Sequence, residues 1–233
     1  MVPLLMRMAS HPVRWALMTE LAGSDRRVRE LVAAVGEPQN LVSYHLRLLR
    51  SAGLVTARRS SSDGRDTYYH LDLARCSTAF AESAAALHPA LTPIPVPAAA
   101  GAVLFLCTGN SARSPMAEAF LRHRGGVDVA SAGSAPKDAV HPRAVRVMRE
   151  EYGIDLTHRP APLSTVAGRR FDYVITLCDK VREVPRDHGR ATEVHWSLPE
   201  PDTYPEFRGI AAELDARIRF LLPRLTPRSA DHA

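Results

Sequence analysis

The sequence predicts two domains: a mainly helical N-terminal domain with a β-hairpin, and a C-terminal α/β domain with a four-stranded parallel sheet flanked by helices. Before position 88, apolar residues recur mostly at helical spacing. After position 101, short apolar runs alternate with helical patterns, as in a parallel sheet. Between them lie Pro89, Pro93, Pro95 and Pro97, which no helix accommodates. The predicted parts are a domain at 1–88, a Pro/Ala-rich linker at 89–101, a domain at 102–226 and a tail at 227–233.

The N-terminal elements follow from apolar spacing and from residues that start or stop helices. Pro12 breaks the first helical stretch, Gly36 ends a short helix, and Pro38 suits the first turn of the next. The pair Asp63-Gly64 is typical of a hairpin turn. The predicted helices are 2–21 with its break, 26–35, 38–52 and 73–87, and the predicted strands are 54–59 and 67–71.

The C-terminal elements alternate between strand and helix. The predicted strands are 102–106, 127–132, 173–177 and 192–196. The predicted helices are 115–123, 142–152 and 207–225, the last being long and amphipathic. This alternation indicates a parallel sheet wrapped by helices.

Composition excludes several classes of protein. Of the 233 residues, 45% are hydrophobic and 24% charged, as in a globular chain. Three cysteines, an odd and low number, argue against a secreted disulfide framework. No apolar stretch reaches the roughly 18 residues of a membrane span, and Arg7, His11 and Arg14 interrupt any signal-peptide pattern. We expect a cytoplasmic protein without a membrane partner, whose net charge of +5 permits nucleic-acid binding.

The segment from Cys107 to Pro115 joins a predicted strand to a predicted helix. A loop in this position directs backbone N–H groups into one concavity, where the helix dipole adds positive potential. A tetrahedral oxyanion fits there, and the planar guanidinium of Arg113 can bind two of its oxygens. The same field favours a nucleophilic thiolate at Cys107, to which Ser114 can donate a hydrogen bond. The predicted oxyanion-binding residues are Thr108, Gly109, Asn110, Ser111, Ala112, Arg113 and Ser114.

This loop resembles the signature of the low-molecular-weight protein tyrosine phosphatases and of the arsenate reductases that share their fold. The features that carry the resemblance are Cys107, five residues, then Arg113-Ser114-Pro115, with Asn110 inside. The likeness of layout extends from 102 to about 225. It implies that Cys107 is the nucleophile, that Arg113 and the loop amides hold the oxyanion, and that Asn110 braces the loop.

A second cysteine bears on the chemistry. The stretch 176–179, Thr-Leu-Cys-Asp, resembles thiol-coupled arsenate reductases, in which Cys178 would attack the Cys107–arsenic adduct and form a disulfide. The family's next cysteine position holds Pro185 here. Either Cys107–Cys178 is therefore the final disulfide, or an external thiol or thioredoxin-like partner completes the cycle, with no bound cofactor. The alternative is that Cys178 is a buried strand residue.

The family's general acid is an Asp that precedes a Pro in a late loop. Matching by the proline places Glu200 there, with Asp202 as the substitute, although a solvated acidic loop is the plain alternative. The pair His195-Trp196 resembles the reductases, and Tyr204 is the only nearby aromatic that could line a phosphotyrosine slot. We therefore favour arsenate reduction. A phosphatase tethered to a DNA-binding domain and a non-catalytic oxyanion-sensing repressor remain the alternatives.

Residues 28–35 and 38–52, with Gly36 between them, have the length and turn of a helix-turn-helix. Val42, Leu46 and Leu49 share one face of the second helix and should be core. The opposite face, suited to base edges and phosphates in the major groove, carries Gln39, Asn40, Ser43, Tyr44 and Arg47. The following hairpin offers Arg58, Arg59 and Arg65 to backbone phosphates.

The runs Leu-Val-Ser-Tyr-His-Leu at 41–46 and Tyr-Tyr-His-Leu at 68–71 resemble the winged helix-turn-helix of the arsenical-repressor family. The resemblance covers about 5–87. It implies double-stranded DNA with a palindromic operator as partner, and a homodimer formed through the outer helices of this domain. A helical bundle that binds protein is the alternative. No cysteine lies in 26–35, and Cys76 alone cannot supply the thiolates a metalloid prefers, so we predict no metal site and name no inducer.

Overall fold

The computed structural model describes residues 3–61, 66–88, 101–125, 127–183 and 189–225. The chain divides into two units, Met1–Pro95 and Val96–Ala233. The hairpin turn at Asp63-Gly64, the linker apart from Gly101, and the tail lie outside the described residues. The predicted domain limits therefore stay a prediction.

The N-terminal unit is mainly helical, as predicted. Its helices are α1 (Leu4–Ala9), α2 (Pro12–Gly23), α3 (Val28–Val35), α4 (Gln39–Ser51) and α5 (Leu73–Leu87). Its strands β1 (Arg26–Arg27), β2 (Val55–Arg59) and β3 (Thr67–Leu71) form an antiparallel sheet in the order β1-β3-β2. Pro12 occupies the first turn of α2, where its missing N–H costs nothing, so the predicted break is a helix start.

The prediction that the helix 26–35 begins at Arg26 is wrong. Arg26 and Arg27 form β1, which pairs with Tyr68 and Tyr69 of β3. The backbone N–H of Arg27 donates to the Glu30 carboxylate at 2.8 Å, so this carboxylate caps α3 and the helix begins at Val28. A tertiary strand pairing thus overrides the local helical pattern.

The core of the N-terminal unit forms between α2, α3 and α4. Val42, Leu46 and Leu49 are buried as predicted, and they pack with Leu17 and Leu31 into one apolar cluster. The hairpin β2–β3 follows α4 directly. The arrangement of α3, α4 and this hairpin confirms the predicted winged helix-turn-helix.

The C-terminal unit is a four-stranded parallel sheet flanked by helices, which confirms the predicted fold. Its strands are β4 (Ala102–Cys107), β5 (Asp128–Gly133), β6 (Tyr173–Thr176) and β7 (Thr192–His195), in the order β5-β4-β6-β7. Its helices are α6 (Arg113–His123), α7 (Pro142–Tyr152), α8 (Asp179–Glu183) and α9 (Tyr204–Leu221), with a 3-10 turn at Leu163–Val166.

Three helices of this unit differ from expectation, and the first of them, α6, begins at Arg113 rather than at position 115. Helix α9 begins at Tyr204 rather than at position 207, because Thr203 and Glu206 form a capping box at its N-terminus. Pro205 is tolerated because it lies in the first turn. Helix α8 is too short to produce a periodic apolar pattern, and the sequence did not predict it. Within the described ranges, no helix combines the length and apolar character needed to cross a membrane.

Three strand ends converge at one edge of the sheet. Every residue of β4 is buried between its neighbours β5 and β6, and the strand ends at Cys107. Gly133 ends β5 and pairs with Cys107, whereas Cys178 lies two residues beyond the end of β6. In open parallel sheets, ligand sites form at the carboxyl ends of the strands. The fold therefore brings both thiols to the edge where a site is expected.

Candidate functional site

The segment from Thr108 to Ala112 turns the chain from β4 into α6. Asn110 within it has a φ of 43°, the only positive φ of a non-glycine residue in the described ranges. Such a left-handed conformation costs an ordinary side chain free energy unless the surroundings hold it. The loop is therefore a constrained feature rather than a passive connection.

Cys107 is buried, with 2% of its surface exposed, and its sulfur receives two polar contacts. The backbone N–H of Asn110 donates to Sγ at 3.2 Å, and the Ser114 hydroxyl lies 2.9 Å from it. Because Ser114 Oγ already accepts from the Asn110 side-chain amide at 2.9 Å, its own hydrogen is available to the sulfur. Two hydrogen-bond donors are thus directed at the sulfur.

The Asn110 side chain uses its full hydrogen-bonding capacity. Its amide nitrogen donates to Ser114 and to Ser131 at 2.9 Å each. Its oxygen accepts from the backbone N–H of Ala161 at 2.7 Å and contacts His158 Nε2 at 2.8 Å. These four contacts hold the left-handed turn. They agree with the bracing role that the family resemblance implies.

Glu118 extends this network beneath the loop. Its carboxylate accepts from the Ser131 hydroxyl at 2.6 Å and lies 3.2 Å from His158 Nδ1. Burial opposes its ionisation, but the hydrogen bonds from His158 and Ser131 outweigh burial and hold the pKa of Glu118 below its ordinary value of 4.5. Sequence reasoning missed Glu118, Ser131 and His158, because no local spacing connects them.

Residues 134–141 donate backbone hydrogen bonds to four carbonyl groups of the loop. The pairs are Ser134 to Cys107 at 3.2 Å, Ala135 to Thr108 at 2.9 Å, Lys137 to Gly109 at 2.9 Å and His141 to Ser111 at 2.7 Å. In a trans peptide the N–H points opposite to the C=O. The amides that follow these carbonyls therefore point away from residues 134–141, and the amide of Asn110 donates to Cys107 Sγ.

Arg113 is buried at the start of α6 and links the loop to the segment after β7. Its Nη1 donates to the Leu198 carbonyl at 2.8 Å, and its Nη2 lies 3.8 Å from the Glu200 carboxylate. The Glu200 side chain is 70% exposed. The Asp202 side chain is 96% exposed, and the backbone carbonyl of Asp202 accepts a hydrogen bond from Arg143. Of the two candidate acids, Glu200 is the one beside Arg113.

Cys178 lies against the same loop. It is buried, and its sulfur is 3.3 Å from the hydroxyl of Thr108, the residue that follows Cys107. All three cysteines of the chain carry free thiols. Cys107 thus contacts Ser114, Glu200 lies beside Arg113, and Cys178 lies beside Thr108.

The polar face of α4 is turned to solvent, opposite the core face. Its predicted contact residues Gln39, Asn40, Ser43, Tyr44 and Arg47 are all exposed. Of the hairpin arginines, Arg59 is exposed, Arg58 is half-buried, and Arg65 lies outside the described residues. Arg50, one turn beyond Arg47, is also exposed, and sequence reasoning missed it. Its spacing of three from Arg47 was the available signal.

Comparison with known proteins identifies both halves. Residues 102–230 match the family model described as low molecular weight phosphotyrosine protein phosphatase. Residues 11–57 match the model described as bacterial regulatory protein, arsR family. The chain therefore joins an arsR-type helix-turn-helix to a phosphatase-type domain.

Individual relatives fall into the same two groups. An arsenate reductase of Brevibacillus brevis is 37% identical over 123 residues, which cover 50% of this chain and 90% of that protein. The HTH-type transcriptional repressor SmtB of Mycobacterium tuberculosis is 48% identical over 67 residues, 29% of this chain and 47% of the repressor. A solved arsenate reductase in its phosphate-binding state is 30% identical with a TM-score of 0.49, over 54% of this chain and 98% of that one.

Proposed function

Since this chain belongs to the low molecular weight phosphotyrosine protein phosphatase family, we propose that its C-terminal domain reduces arsenate with thiols and that its N-terminal domain binds DNA as a transcriptional regulator. The observation that carries the enzymatic proposal is the position of Cys178. Its sulfur lies 3.3 Å from the hydroxyl of Thr108, the residue that follows Cys107 in the chain. Ester hydrolysis by Cys107 has no use for a second thiol at this place. The arsenate reductase of Brevibacillus brevis, 37% identical, supports the same choice.

In the first step, the Cys107 thiolate attacks the arsenic of bound arsenate. The loop amides and the guanidinium of Arg113 hold the arsenate oxygens and stabilise the charge that develops on them. A sulfur–arsenic bond forms while an arsenic–oxygen bond breaks, and the oxygen leaves as water. We assign its protonation to Glu200, whose carboxylate lies 3.8 Å from the Arg113 guanidinium.

In the second step, the Cys178 thiolate attacks the sulfur of Cys107. A disulfide bond forms, the sulfur–arsenic bond breaks, and its electron pair stays on arsenic. Arsenic(V) thereby becomes arsenic(III) and leaves as arsenite, while the two thiols are oxidised to one disulfide. An external thiol or thioredoxin-like dithiol then reduces the disulfide and returns both cysteines to the thiol form.

We expect the Cys178→Ser variant to separate reduction from ester hydrolysis. Arsenate reduction, followed as NADPH oxidation with thioredoxin and its reductase, should fall by about a hundredfold or more because the second step loses its nucleophile. Hydrolysis of p-nitrophenyl phosphate should stay within about threefold, since it needs only Cys107 and the cradle. The Cys76→Ala variant, which removes a thiol from the other domain, should retain both activities.

The outcomes decide among the three functions. Ester hydrolysis without arsenate reduction in the wild-type protein would make the domain a phosphatase. Turnover of neither substrate, together with arsenate-dependent DNA binding, would make it an oxyanion sensor.

The DNA-binding proposal rests on the exposed polar face of α4. Two helices at the ends of this unit, α1 and α5, expose the large apolar side chains Leu4 and Phe80, which supports self-association through them. A two-fold dimer presents two α4 helices and therefore reads a palindromic operator. Binding to chromosomal DNA and use of a thiol reductant both fit a cytoplasmic protein.

Replacing Arg47 with alanine should weaken DNA binding by about 1–3 kcal/mol, because its guanidinium lies on the exposed face of α4 that would enter the major groove. Fluorescence anisotropy would measure this, with an operator selected by the full-length protein from random double-stranded DNA. Arg149→Ala removes the same charge from the exposed surface of α7 and serves as the matched control. Equal affinity of the two variants would contradict the assignment of α4 as the reading helix.

A further inference from the structure

The imidazole of His195 contacts the chain on both sides of Cys178. Its Nδ1 lies 2.9 Å from the hydroxyl of Thr176, two residues before the thiol. Its Nε2 lies 3.2 Å from the carboxylate of Asp179, the residue directly after it. One side chain on β7 thus spans the short segment that carries Cys178.

Both ring nitrogens have polar partners. Nε2 lies beside the Asp179 carboxylate, and Nδ1 lies beside both the hydroxyl of Thr176, at 2.9 Å, and its backbone carbonyl, at 3.2 Å. The ring is therefore held from two sides. Parallel pairing of β6 with β7 places Thr176 opposite His195, so the backbone itself sets up the first of the two contacts.

The residues that make the Nε2 contact are buried. His195 and Asp179 are each 1% exposed. Removing one partner of a buried, hydrogen-bonded pair leaves the other with an unmet charge or polar group, so the segment cannot shift without loss of the pair. Asp179 is the first residue of α8, and the pair therefore fixes where that helix begins.

We propose that His195 is a positioning residue for Cys178. By holding Thr176 and Asp179, it keeps the Cys178 sulfur against the loop 108–112, in position to attack Cys107. This inference rests on the proposed arsenate reduction. The step that it serves forms the Cys107–Cys178 disulfide, breaks the sulfur–arsenic bond and releases arsenite with the bonding electron pair. Displacement of a reacting atom by about 1 Å can slow such a step a hundredfold.

The ratio of the two activities separates positioning from a general structural role. In His195→Ala we expect the kcat of arsenate reduction to fall about 10- to 100-fold, with p-nitrophenyl phosphate hydrolysis within about twofold. His195→Gln, whose amide can replace the donor to Asp179, should recover part of the loss. His123→Gln, a substitution of an exposed histidine on α6, should change neither activity.

A second measurement does not depend on arsenate. Diamide oxidises two thiols to a disulfide while its azo group takes up both hydrogens, and mass spectrometry of alkylated protein follows the Cys107–Cys178 bond. We expect this bond to form at least about tenfold more slowly in His195→Ala than in the wild-type protein. Asp179→Asn, which keeps the side-chain shape, should slow it to a smaller extent.

The two readouts distinguish failure of the inference from failure of the proposed function. A wild-type protein that does not reduce arsenate overturns the function, but the diamide rate still tests the positioning role. Unchanged disulfide formation in His195→Ala, or an equal loss of both activities in His195→Ala and His195→Gln, overturns the positioning role itself.

Discussion

Replacing Cys107 with serine is expected to abolish both arsenate reduction and ester hydrolysis, by roughly a thousandfold or more. In the proposed mechanism, both reactions begin with attack by this sulfur on a tetrahedral centre. Cys107 Sγ receives the Asn110 N–H at 3.2 Å and the Ser114 hydroxyl at 2.9 Å. A serine hydroxyl in the same place is a much weaker nucleophile. The measurement is steady-state turnover of both substrates by the full-length variant.

Binding should survive this substitution. The cradle consists of backbone amides and Arg113, none of which the Cys107→Ser change removes. We therefore expect inorganic phosphate to raise the melting temperature of Cys107→Ser about as much as that of the wild-type protein. A variant that still turns over either substrate at more than about a tenth of the wild-type rate would contradict covalent catalysis by Cys107.

The strand-loop-helix unit that carries Cys107 and Arg113 was predictable because its parts are contiguous in sequence. A buried strand, a short loop and a helix are enough to place both side chains near one strand end. The same holds for the outward face of α4, which a period of 3.6 residues separates from Val42 and Leu46. Both predictions need only the spacing of residues within one short segment of the chain.

The bracing of the site was not predictable in this way. Asn110, Ser131 and His158 meet only because β4, β5 and the segment after α7 are neighbours in the folded sheet. The two contacts of His195 likewise require the register of β6 and β7. The error at Arg26 and Arg27 has the same origin, since their pairing partners on β3 lie about forty residues away. Side chains that act through tertiary contacts leave no spacing signal in one sequence.

Gly133 offers the sharpest test that the loop geometry, and not only its chemistry, produces activity. This glycine ends β5 and pairs with Cys107. A Cβ added here would lie 2.6 Å from the Thr108 carbonyl oxygen, 2.9 Å from Asn110 Cβ and 3.0 Å from Asn110 N. Two of these three atoms belong to the backbone, and the Thr108 carbonyl is already bound to the Ala135 N–H. The loop therefore has to move away from β5.

We expect Gly133→Ala to lower kcat/KM for both substrates by about a hundredfold, because the amides of the cradle are displaced from the oxyanion. Overpacking should also destabilise the fold by about 1–3 kcal/mol, measurable by urea denaturation. Unlike Cys107→Ser, this variant should lose most of its stabilisation by phosphate. The two variants thus separate loss of the nucleophile from loss of the binding geometry.

Gly209→Ala provides the matched control for this substitution. Gly209 is exposed within α9, and no heavy atom would lie within 4 Å of an added Cβ. Alanine in a helix interior is favoured over glycine by up to about 1 kcal/mol, so this variant should be slightly more stable and equally active. If Gly133→Ala behaved like Gly209→Ala, the close approach of β5 to the loop would have no part in catalysis. The oxyanion would then be held by Arg113 and the α6 N-terminus without support from the sheet.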